Sequence, residues 1–256
     1  MNLKLERFMG FLTSILHSRT NKAARDAFLK IVNERSEIAI ICGGPSLNSA
    51  AIQSIKNSNV FFINHTVDLI DQLDDSNKFF WFSADADRVN ECSEKCKQAQ
   101  TRIVAIHDYG NYRRVRSDIG SDAVFLLPRI NRRALVTRLN AAAEQVSEND
   151  QLRLPNIRNN LRISYILGGT SLLPIFALAL SLSPRIVAIH GFDATESNVT
   201  YAEGMKLPAG AKSSLGFNRQ RIGKMLQKIV DEARSIGIRG KVQNYSPHTQ
   251  DILKSS

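Results

Sequence analysis

Seven short runs of apolar, β-branched and aromatic residues constrain this chain more than any other feature: Glu37 to Cys42, Asn59 to Ile63, Phe79 to Ser83, Arg102 to Ile106, Ala123 to Leu127, Arg185 to His190 and Lys241 to Tyr245. Runs this short and this rich in Ile, Val and Phe read as strands. Between most of them lie segments with helical patterning, at Ser49 to Lys56, Val67 to Leu73, Arg88 to Ala99, Arg132 to Val146, Ser171 to Leu182 and Asn218 to Ile236. Strands alternating with helices are most economically joined as βαβ units. The predicted fold class is α/β, a Rossmann-like, mainly parallel sheet with helices on both faces. A chain of 256 residues can use its whole length in one such unit.

The three cysteines, Cys42, Cys92 and Cys96, are an odd number, and the Cys-x3-Cys pair has no second ligand pair to close a zinc site. A reduced, cytoplasmic setting is expected, with no secretion signal. The longest apolar stretch, Ile166 to Leu182, is interrupted by Gly168, Gly169, Thr170, Ser171 and Pro174 and reads as a buried helix rather than a membrane span. Residues 1–36 are expected to form an N-terminal helical segment. Within it, Phe8, Phe11, Leu12, Ile15 and Leu16 share one face beside Lys4 and Arg7, which suits a membrane surface, the chain's own domain or a partner subunit. Residues 37–256 would be the ligand-binding unit, with the polar stretch of about 194–215 as a lid loop. Net charge is 34 − 24 = +10, concentrated in Met205 to Ser256, which holds ten Lys/Arg against three Asp/Glu. Such an excess favours a polyanionic neighbour: a nucleotide, an anionic membrane face or nucleic acid.

In open parallel sheets ligands bind beyond the carboxyl ends of the strands, and here those positions are small and polar. The first strand runs into Gly43-Gly44-Pro45-Ser46, where glycines admit close backbone approach and Ser46 is expected to cap the next helix. Without a ligand, the same residues would make a tight strand-to-helix turn. Asn64 and His65 follow the second strand, and an asparagine there offers both a donor and an acceptor to a base or ribose. Ser83, Asp85 and Asp87 follow the third. An Asp-x-Asp pair suits Mg or Mn on a diphosphate, and equally suits helix capping. Gly168-Gly169-Thr170-Ser171 opens the late apolar helix as a second anion-friendly start. Asp193 ends the sixth strand eight residues before Tyr201, and His248 follows the seventh.

Taken in order, these residues resemble the bacterial sialyltransferases of the Campylobacter lipooligosaccharide type, within a wider superfamily that includes motility accessory factors and hydroxymethylpterin diphosphokinase-like proteins. The resemblance spans roughly Glu37 to Ser246 and is sharpest at Ile40 to Leu47, Asn64, Ser83, Gly168-Gly169-Thr170 and Gly191-Phe192-Asp193 through Tyr201-Ala202. It implies a single-domain GT-A variant in which Gly44, Ser46, Asn64, Ser83, Gly168 and Gly169 hold the nucleotide, and Gly43, Pro45, Thr170 and Ser171 of the same turns complete the expected nucleotide-binding set. It also implies that Tyr201 assists the leaving phosphate. The family's first lid tyrosine is Thr195 here, and its lid histidine has no counterpart between Ala202 and Gly240. His248 or Asp193 is then the expected base.

The expected activity is transfer of a sugar from a nucleotide-sugar, CMP-activated by resemblance, to a glycan, lipid-linked or other acceptor hydroxyl, as in bacterial lipopolysaccharide biosynthesis. Sialyltransferase-like chemistry needs no metal cofactor. Diphosphate transfer from ATP to a small hydroxymethyl compound is the alternative, with Mg or Mn at Asp85 and Asp87. Sugar transfer to modified nucleic acid ranks third, because no nucleic-acid motif is visible. A cytoplasmic homo-oligomer, peripheral on the inner face of the membrane, is the expected setting.

Overall fold

The computed structural model describes residues 26–33, 36–83, 93–106, 124–128, 171–193, 202, 205 and 219–253. Seven strands form one sheet: β1 (Glu37–Ile41), β2 (Asn59–Ile63), β3 (Lys78–Ser83), β4 (Thr101–Ile106), β5 (Val124–Pro128), β6 (Ile186–His190) and β7 (Lys241–Asn244). Their order is β5-β4-β3-β2-β1-β6-β7, and every neighbouring pair is parallel. Every one of the seven apolar runs is therefore a strand, shifted by a residue at most at either end. The fold is a doubly wound α/β sheet, as expected.

Alternation along the strands divides the core in two. Ile38, Ile40, Phe61, Phe80, Phe82, Val187, Ile189 and Val242 project to one face. Against them pack helix α1 (26–32), helix α4 (Leu172–Ser181) and helix α5 (Arg219–Ser235). Helix α4 is buried from Leu172 to Leu180, as expected of the apolar stretch. Helix α5 is amphipathic: Ile222, Leu226, Ile229, Val230 and Ala233 turn inward while Lys224, Lys228 and Asp231 face solvent. Helix α1 is anchored by Phe28, whose ring meets Phe80 edge-on at 5.4 Å between centroids. The 1–36 segment thus contributes at least its last turns to the sheet's own core.

Ala39, Ile41, Val60, Phe62, Trp81 and Ala188 form the other face. It is covered by helix α2 (Ser49–Gln53), the 3-10 segment Asn64–Gln72 and helix α3 (Ser93–Cys96). Two helical expectations change here. The segment Val67 to Leu73 is not an α-helix but the end of a 3-10 turn run, and Val67, Ile70 and Leu73, three residues apart, eclipse one another on its buried side. Helix α2 stops at Gln53, with Asn48 as its N-cap, so Ser46 does not cap it: the Asn48 side chain accepts the Ala51 N–H at 2.9 Å. The expected helices over residues 5–16 and Arg132 to Val146 lie outside the described residues. Among the described residues no helix is long and apolar enough to cross a membrane.

Candidate active site

The strand order reverses at β1: later strands run outward from it in both directions, through β2 on one side and β6 on the other. This is a topological switch point, where crossovers leave to opposite faces and open a crevice at the carboxyl edge. The residues after β1 and β6 meet there. Cys42 N–H donates to the His190 carbonyl at 2.8 Å, and Gly44 N–H donates to the Gly191 carbonyl at 2.8 Å. The Ser46 N–H donates to Asp193 Oδ2 at 2.7 Å, joining residues 147 apart in sequence. Ala202 N–H donates to the Gly43 carbonyl at 3.0 Å, so the chain directly after Tyr201 is tied to the same turn.

These bonds change the reading of the glycines. A Cβ on Gly44 would collide with the Asp193 carboxylate and the Gly191 carbonyl. Gly44 is required by contact with β6, independent of any ligand. Gly191 has a φ of +67°, and a Cβ there would strike the Cys42 carbonyl. The two turns are thus pressed backbone to backbone. The thiol of Cys42 lies in this packing, and burial first and Asp193 second push its pKa well up, leaving it an inert thiol. Cys42 and Cys96 are both buried thiols outside any disulfide among the described residues, and burial holds the Cys96 thiol up at about 11.

Along the edge, strand registers place Asn64 and Ser83 beside the β1 turn. Ile41 pairs with Phe62, and Ile63 with Phe82, so Asn64 lies level with Ser83 and close to Gly43. Ser83 is fully buried and bonded. Asn64 adopts a φ of +52°, a left-handed conformation that asparagine tolerates better than other residues with a side chain. Two contacts hold it there. The Trp81 indole donates to the Asn64 carbonyl at 2.9 Å, and the Thr66 hydroxyl accepts the Ile63 N–H at 2.8 Å while donating to the Ile41 carbonyl at 3.1 Å.

Three buried polar atoms at this edge have no hydrogen-bond partner: Ser46 Oγ, Asn64 Oδ1 and Asp193 Oδ1. Buried polar groups are ordinarily paired, so three open ones after neighbouring strands make this edge the candidate site. Asp193 is 2% exposed, with one carboxylate oxygen committed to Ser46 and the other open.

Behind Asp193 stands a support that the sequence pattern did not reveal. The Ser46-facing loop is clamped from β7: Phe192 N–H donates to Ser246 Oγ at 2.6 Å, and Thr249 Oγ1 donates to the Phe192 carbonyl at 2.6 Å. Asn244 Nδ2 donates to Thr249 Oγ1 at 3.1 Å and its Oδ1 accepts the Ser246 N–H. The run of small polar residues after the last strand was its only signal. His248 lies in the same 3-10 turn, Pro247–Thr249, with an exposed side chain. His190 is buried and stacks on Tyr245, and burial pushes its pKa down to about 4.

Of the remaining expected site residues, Gly43 is half-buried and Pro45 exposed in the β1 turn. Ser171 occupies the N-cap of helix α4 without a side-chain cap bond. Gly168, Gly169, Thr170, Tyr201, Asp85 and Asp87 lie outside the described residues, and with them the expected metal pair. Among the described residues no group of three His, Cys, Asp or Glu is placed to hold a metal ion. A cleft of about 520 Å³, lined by Val32, Ser36, Leu182, Arg185, Arg239 and Gly240 among others, opens at the opposite, amino edge of the sheet. None of the switch-point residues borders it.

Fold and site together define a doubly wound α/β protein with a cluster of buried polar atoms at its switch point. No protein-family model matches the chain, and no curated protein matches it. Among solved structures it is similar to the monofunctional alpha-2,3-sialyltransferase Cst-I from Campylobacter jejuni, with a TM-score of 0.48 and 13% identity over 86% of this chain and 80% of that one. The fold class stated here rests on the strand order and registers themselves.

Proposed function

We propose that this protein is a glycosyltransferase that takes a sugar from a nucleotide-sugar and delivers it to an acceptor hydroxyl at the β1/β6 switch point. The observation that carries the reading is Asp193: a buried carboxylate, fixed through Oδ2 by the Ser46 amide, whose Oδ1 has no partner. A carboxylate so held is oriented before substrate arrives, which is what a general base requires. In the proposed step the acceptor oxygen forms a bond to the anomeric carbon while the sugar–phosphate C–O bond breaks. The acceptor proton passes to Asp193 Oδ1, and the bond electrons leave with the nucleotide phosphate. Ser46 Oγ and Asn64 Oδ1 then serve the nucleotide, with Tyr201 assisting the departing phosphate. A CMP-activated acidic sugar is the donor we favour, and the chain's +10 charge suits the anionic ligands involved.

The test is thermal unfolding with CMP, CDP, UDP, GDP and ATP, each with magnesium and with chelator. A ligand at one hundred times its Kd stabilises the folded state by about 2.7 kcal/mol, which in a chain this size raises Tm by roughly 5–10 °C. Stabilisation by a cytidine nucleotide in chelator is the expected result. Stabilisation by ATP only with magnesium would instead favour diphosphate transfer through Asp85 and Asp87, and no shift with any nucleotide would refute the nucleotide site. With a donor in hand, Asp193→Asn should cut turnover at least about 100-fold, the scale of general-base catalysis. A loss confined to His248→Ala would move the base to the β7 turn.

A further inference from the structure

The crossovers from β1 to β4 run over the Ala39 face of the sheet, whereas helices α4 and α5, which lead into β6 and β7, pack on the Ile40 face. Among the described residues no helix therefore covers the Ala39 face of β6 and β7. Ala188 belongs to that face, and strand alternation puts His190 there too. Tyr245, directly after β7, lays its ring flat on the His190 imidazole, with centroids 4.7 Å apart and planes 8° from parallel. His190 is 7% exposed and Tyr245 55% exposed. One face of the tyrosine ring is covered by the imidazole, so its exposure belongs to the opposite face and the ring edge.

This ring is held in place from several directions. Tyr245 N–H donates to the Ile189 carbonyl at 2.9 Å, and the phenolic O–H donates to Gln243 Oε1 at 2.9 Å. The next residue, Ser246, is the one that accepts the Phe192 N–H beside Asp193. An aromatic ring already fixed in orientation loses little freedom on binding a second ring. Burial keeps the His190 imidazole uncharged at neutral pH.

We propose that the Tyr245 ring, backed by His190, is a stacking subsite for the planar heteroaromatic group of the ligand, of the class of a nucleobase. The inference rests on the nucleotide reading of the switch-point crevice and assigns the base to the β6/β7 side of it. It is tested by calorimetric titration of the wild-type protein, Tyr245→Ala and Tyr245→Phe with CMP, AMP and ribose 5-phosphate. Stacking predicts that Tyr245→Ala weakens CMP and AMP about ten-fold or more, that Tyr245→Phe stays within about two-fold, and that ribose 5-phosphate is indifferent to both. Tyr245→Leu, apolar but without a π-face, is the second variant if the alanine protein changes its circular dichroism, and it should show the same selective loss. Nucleotides that bind wild type and Tyr245→Ala equally well would overturn the stacking subsite and leave the nucleotide site standing. Wild-type protein that binds none of the three probes would overturn both.

Discussion

Replacing Gly44 by Ala tests the contact on which the whole site is built. The new methyl group would overlap the Asp193 carboxylate and the Gly191 carbonyl, neither of which is the free end of a flexible chain. The β1 turn must therefore withdraw from β6. Doing so breaks the 2.7 Å bond from Ser46 N–H to Asp193 and the 2.8 Å bond from Gly44 N–H to Gly191. A hydrogen bond to a buried charged group contributes about 1.5–3 kcal/mol and a neutral backbone bond about 0.5–1.5 kcal/mol, so the expected loss is about 3 kcal/mol. For a chain of this length that lowers Tm by roughly 6–12 °C. Urea and thermal unfolding of Gly44→Ala should be compared with Gly237→Ala, where φ is +86° but nothing lies within 4 Å of the added Cβ. The Gly237 variant should cost only the left-handed strain, about 1 kcal/mol. A Gly44→Ala protein as stable as wild type, within about 0.5 kcal/mol, would refute the packing argument.

Two further outcomes follow from named groups. His190 titrates near 4 when folded against a reference of 6.5, so the unfolded chain binds a proton more readily between those values. The stabilisation from its neutral state is present above about pH 6.5 and is lost as pH falls toward 4, with a slope approaching about 1.4 kcal/mol per pH unit. Urea unfolding at pH 7, 6 and 5 should show that slope in wild type and a flatter one in His190→Phe; identical slopes would contradict the burial assigned to the imidazole. At Asn64, alanine keeps the φ of +52° but tolerates it poorly, at a cost of about 1 kcal/mol, whereas glycine tolerates it freely. Both substitutions remove Oδ1. Asn64→Gly and Asn64→Ala should weaken nucleotide binding alike while only the alanine variant loses stability, and retained affinity in both would remove Asn64 from the ligand site.

The strands were legible because each is a short Ile-, Val- and Phe-rich run whose burial leaves little choice of period. The 3-10 run was harder, since Val67, Ile70 and Leu73 recur every three residues, a spacing an α-helix shares over so short a stretch. Helix α1 falls within the expected helical segment 1–36, but its own span was not read, although Phe28 and Val32, spaced by four, carry its buried face. At the site, Gly44, Ser46, Asn64 and Asp193 were all identifiable from their places after apolar runs. Their mutual geometry was not. That β1 pairs with β6 is a tertiary choice without a local signature, and the Ser46–Asp193 bond, the reason for Gly44 and the Tyr245–His190 stack all depend on it.

The same pairing orders the assembly of the protein in time. Strands β1 to β5 add side by side in the sequence in which a ribosome would make them, so that five of the seven strands join through near-neighbour contacts. The β1–β6 seam closes a loop whose Ser46 and Asp193 ends are 147 residues apart, at an entropic cost of roughly 4 kcal/mol that only later contacts repay. Until then β1 is an open, apolar edge available to any passing strand. The β1–β6 contacts are thus expected late in folding, and a nascent or truncated chain that ends before Ile186 carries the exposed β1 edge without the candidate site that β6 completes.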